Sequence, residues 1–96
     1  MNEINGTEGD KAITIIKQLA HRMTVVGFPN RPRTAHAKLT EKLTEKIEVW
    51  EVEGLHPLLS GPVFALVVNK GHIPLPAWHV VDFRVGGNIY SDQPTL

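Results

Sequence analysis

Charge is distributed unevenly along this chain, and that bounds its fold more than any other feature. Residues 1–54 hold eight basic and eight acidic side chains, whereas residues 55–96 hold only Lys70, Arg84, Asp82 and Asp92. A low-charge half rich in Val, Ile, Phe and Trp reads as sheet, and a charged half with apolar residues at helical spacing reads as solvated helix. With 96 residues the chain accommodates one domain, spanning 1–96, with residues 1–8 expected to be disordered. Apolar residues make up 42%, enough to support a packed core rather than a disordered chain.

Ala12, Ile15, Ile16, Leu19 and Met23 define one apolar helical face, predicting a first helix from Asp10 to about Met23, capped by Gly9-Asp10. Val25 to Pro32 is turn-rich. Ala35, Leu39, Leu43 and Ile47 then recur every four residues, predicting a second helix from about Arg31 to Glu45, with Asn30 as N-cap and Pro32 in its first turn. Near Ile47 the period becomes two, predicting a strand over 46–53. Pro62 to Val68 is an uninterrupted apolar run suited to a central strand. Ala77 to Val85 and Asn88 to Ser91 read as a hairpin closed by Gly86-Gly87. The expected fold is α+β, in the order α-α-β-β-β-β, with two N-terminal helices packed on one face of a small antiparallel sheet.

A two-residue turn at Gly86-Gly87 pairs Val85 with Asn88, Phe83 with Tyr90 and Val81 with Asp92. It would put His79, Val81, Phe83, Val85, Tyr90 and Asp92 on one face. His79 and Asp92 would then be diagonal neighbours on adjacent strands, within reach of an imidazole–carboxylate hydrogen bond that fixes the imidazole tautomer.

The stretch Trp78-His79-Val80-Val81, followed by Val85-Gly86-Gly87-Asn88-Ile89-Tyr90 and Asp92-Gln93-Pro94, resembles the C-terminal end of papain-like fold toxin domains of bacterial polymorphic toxins. These modules are related to cysteine proteases and glutamine deamidases. The resemblance implies a nucleophilic cysteine at the start of an upstream helix packed on the sheet, with His79 as base and acid and Asp92 as its orienter. Arg33-Thr34-Ala35-His36-Ala37 stands where the family has its Cys-x-Ala motif, so position 35 corresponds to the nucleophile. Residue 35 is alanine and the chain has no cysteine. The implied activity is peptide or amide hydrolysis or glutamine deamidation, held in an inactive form, whether engineered or natural. Oxyanion donors would come from the backbone at the start of the second helix or from residues 28–33. The resemblance also implies a cognate immunity protein, and secretion within a larger effector that acts in the cytoplasm of a target cell.

Two other readings stand beside it. One is a metal-independent ribonuclease using His79 as acid and base, with Arg84 or Arg33 on the phosphate and Tyr90 assisting. The other is a non-catalytic protein-binding module in which His79 and Asp92 form a structural pair. The five histidines have neither the i, i+4 helical spacing nor the His-x-His strand spacing of zinc ligands, so no metal or cofactor is expected. A net charge of zero argues against a general nucleic-acid binder. The longest apolar run is too short to cross a membrane, where about 20 residues are needed.

Overall fold

The computed structural model describes residues 6–55, 61–71 and 77–91. Their order is α1 (Gly6–Val25), a 3-10 turn (Pro32–Thr34), β1 (His36–Thr44), β2 (Ile47–Glu53), β3 (Val63–Asn69), β4 (Trp78–Val85) and β5 (Asn88–Ser91). The five strands form one antiparallel sheet in the order β1-β2-β3-β4-β5, and α1 packs on one face. No helix among the described residues is long and apolar enough to cross a membrane.

The α+β class and the two-layer arrangement agree with the sequence, but only one α-helix is present among the described residues. Arg31–Glu45 is not helical: Pro32 opens a single 3-10 turn, and His36–Thr44 is a strand. The tetrad Leu-Thr-Glu-Lys repeats every four residues, yet β1 is an edge strand exposed along almost its whole length. A strand wet on both faces carries no period-two signature. Bulges between Leu39 and Glu41 and between Lys42 and Thr44 further break its alternation. α1 starts at Gly6, so Gly9 and Asp10 lie inside the helix rather than at its cap.

Ile15, Leu19, Ala20 and Met23 of α1 meet Trp50 and Val52 of β2, Val63, Ala65 and Val67 of β3, and Val80, Phe83 and Val85 of β4. Burial alternates along β2 and β3, as a sheet covered on one face requires. The 3-10 turn is tied to the end of β2: Arg31 N donates to Leu55 O, and Thr34 Oγ1 donates to Gly54 O at 2.7 Å. Asn69 Oδ1 accepts from Gly71 N and Ala77 N, fixing both ends of the β3–β4 connection.

The last hairpin has the expected two-residue turn, with Val85 opposite Asn88 and Phe83 opposite Tyr90. Gly86 supplies the positive φ (61°) at its first position. The face assignment of β4 changes midway. Asp82 pairs with Leu66 and Val80 with Val67, which leaves Val81 as an extra residue in a bulge. Trp78 and Val80 therefore share the helix-facing side with Phe83 and Val85. His79 falls on the opposite parity and is exposed. The expected common face for His79 and Phe83 is corrected by that one inserted residue.

Candidate functional site

Among the described residues β5 pairs with Asp82 to Val85 of β4. No strand among them pairs with the N-terminal half of β4 on that side, and α1 supplies hydrogen-bond partners there. Gln18 Nε2 donates to Trp78 O at 2.9 Å, and Val80 N donates to Gln18 Oε1 at 2.8 Å. One side-chain amide thus satisfies a donor and an acceptor that a strand would otherwise bond. Arg22 Nη1 donates to Val80 O at 2.8 Å and Val81 O at 2.9 Å, which ties the bulge to the helix. Both carbonyls of this irregular edge are held by one guanidinium nitrogen.

An open groove runs along this seam. One hollow of ≈ 410 Å³ is lined by Lys17, Gln18, His21, Arg22, His79 and Val80. A second, of ≈ 300 Å³, is lined by Lys11, Thr14, Gln18, Ala77, Trp78 and His79. The two share Gln18 and His79, so His79 stands at their junction. His21, Lys17, Thr14 and His79 are exposed, while Lys11, Gln18, Arg22 and Trp78 are half-buried.

Above the groove lies a buried ion pair. Glu48, 3% exposed, has its Oε1 2.9 Å from Lys11 Nζ and accepts a hydrogen bond from Trp50 Nε1 at 2.8 Å. Lys11 Nζ also lies 3.6 Å from the centre of the Trp78 ring. A buried carboxylate is tolerable only with such partners, and here an ammonium and an indole N–H provide them. This cluster joins α1, β2 and the start of β4, and so holds the wall from which His79 projects.

Of the residues expected to form a catalytic set, the structure does not bring Ala35 to His79. Ala35 caps the 3-10 turn in an extended conformation, with φ −87° and ψ 147°, and is not at a helix start. The residue after it, His36, pairs with Glu53, whereas His79 is linked through Val68 to Ile47. The stretch of β2 from Glu53 to Ile47 therefore separates the two rows, about 20 Å at roughly 3.3 Å per residue. Two intervening strands add to that separation. Asp92 lies outside the described residues, as does His72. Arg84 packs over Phe64 with its guanidinium carbon 5.0 Å from the ring centre, and Tyr90 stacks on Phe83. Neither lines the groove, and Arg33 belongs to the 3-10 turn.

Sequence reasoning does not single out Lys11, Thr14 and Gln18, and it does not join His21 and Arg22 to them. They recur at three- and four-residue spacing, a polar stripe beside the apolar one, and that stripe was the available signal. No group of three or more His, Asp or Glu among the described residues could hold a metal ion. No known protein family, curated protein or solved structure matches this chain.

Proposed function

We propose that the chain is a papain-like module organised around His79, with α1 as the helix that faces it, and that it is catalytically silent as it stands. The observation that supports this reading is the position of His79. It is exposed at the start of β4, in a groove bordered by α1, on the strand whose hairpin partner β5 leads on to Asp92. In a papain-like site the thiolate rides on the helix packed against the sheet, where backbone N–H groups and a nearby imidazole lower its pKa. α1 is the helix with that packing among the described residues. A nucleophile would therefore come from α1 and not from position 35.

Acyl transfer needs a thiolate to attack the amide carbonyl while the imidazole hands a proton to the leaving amine. This chain has no thiol, so the first step is missing. A groove that engages a peptide or amide substrate without cutting it remains. The toxin setting, with an immunity protein over the groove, belongs to the same proposal.

The test is to install the thiol. Gly9→Cys and Thr14→Cys, each with and without His79→Ala, are alkylated with iodoacetamide near pH 6. The reading predicts that at least one reacts faster than free cysteine and loses that advantage with His79→Ala. Two thiols of ordinary reactivity would overturn it. Cleavage of total tRNA by the unmodified chain, lost in His79→Ala, would replace it with the ribonuclease reading.

A further inference from the structure

We propose that the hollow lined by Lys17, His21, Arg22 and His79 is a binding site for a phosphate oxyanion, a property the papain-like reading neither requires nor predicts. The first support is composition. The thirty residues from Lys11 to Thr40 contain six Lys and Arg and no Asp or Glu, within a chain whose net charge is zero. Of those six, Lys17 and Arg22 line the hollow.

The second support is geometry. Glu48 takes up the charge of Lys11 at one end of the groove. The other end is lined by Lys17, His21, Arg22 and His79, with no carboxylate among the described lining residues. Lys17, His21 and His79 are exposed to an incoming ligand. An ammonium and two imidazoles that can each donate N–H suit the several acceptor oxygens of a phosphate. A concave wall also focuses their field more than a flat surface would. The seam is held open by the Gln18 and Arg22 bonds to β4, so the donors are positioned before a ligand arrives.

The test follows the histidine ring signals by NMR at fixed pH while sodium phosphate replaces sodium chloride at equal ionic strength. A single-stranded RNA dodecamer is titrated in parallel. The signals of His21 and His79 should move together and saturate, while that of His36 on β1 stays still. Lys17→Ala, an exposed change on the helix surface, should weaken binding by about tenfold, the factor expected for one charge-assisted contact. Saturation by phosphate alone identifies a small phosphate-bearing ligand. Much tighter, salt-sensitive binding of RNA identifies a polynucleotide backbone. Both outcomes uphold the site. Signals that fail to saturate, that track His36, or that ignore Lys17→Ala would overturn it.

Discussion

Gln18 stands in for a strand beside Val80. Its Oε1 accepts from Val80 N at 2.8 Å and its Nε2 donates to Trp78 O at 2.9 Å, beyond the described pairing of β5 with Asp82 to Val85. The helix thereby closes an edge of the sheet and sets the groove in which His79 stands. Edges left open are sites of unwanted pairing, and covering one with a helix is a recognised solution.

Removing that amide should cost stability and local protection together. Gln18→Ala leaves a half-buried N–H and C=O without their partners, which costs about 1–3 kcal/mol. For a domain of this size each kcal/mol lowers Tm by about 4–8 °C. The Val80 amide should exchange with deuterium faster in the variant, whereas the Val67 amide in the sheet centre should keep its protection. A uniform loss of protection would argue for general loosening instead.

The Glu48–Lys11 pair is predicted to be more costly to break. Glu48→Ala strands the Lys11 ammonium among Trp50 and Trp78 and leaves Trp50 Nε1 without its acceptor. Breaking a buried pair from one side costs about 3–5 kcal/mol. Replacing both partners, as in Lys11→Met with Glu48→Leu, should recover much of that loss. Urea unfolding of the two single variants and the double variant checks the cycle.

Two glycines should respond differently to the same substitution. Gly54 has φ +79°, and a Cβ there would collide with the backbone O of Thr34, the residue whose Oγ1 ties the 3-10 turn to the end of β2. Gly86 has φ +61° and open space around it. Gly86→Ala should cost about 1–2 kcal/mol for the left-handed backbone alone. Gly54→Ala should cost distinctly more, because backbone atoms must move as well. Equal losses in thermal unfolding would contradict this.

Position 35 should behave as an ordinary site. An Ala35→Cys thiol sits in extended backbone, half-buried and about 20 Å along the sheet from the row of His79. Its alkylation near pH 6 should be no faster than that of free cysteine, and His79→Ala should not change it.

These residues also show what the sequence reveals and where it falls silent. Ile15, Leu19 and Met23 mark α1 because one face is dry, and Pro62–Val68 marks β3 because the middle strand of the five is an unbroken apolar run. Gly86-Gly87 fixes the last hairpin register directly. β1 is illegible as a strand because, exposed on both faces and twice bulged, it has no period-two pattern to set against the four-residue recurrence. Strand parity puts His79 on the face of Phe83, and the bulge at Val81, which has no local sequence signature, moves it to the other face. The groove was missed for a related reason. It lies where α1 bonds the start of β4, a relation between elements far apart in sequence.

The central claim is that His79 belongs to α1 and not to position 35. Paramagnetic broadening of the His79 ring signal tests it most directly, with a nitroxide attached in turn to Thr14→Cys and Ala35→Cys. The label at position 14 should erase the His79 signal, because both residues line the same hollow. The label at position 35 should leave it visible. Loss of the His79 signal from position 35, with survival from position 14, would contradict the account.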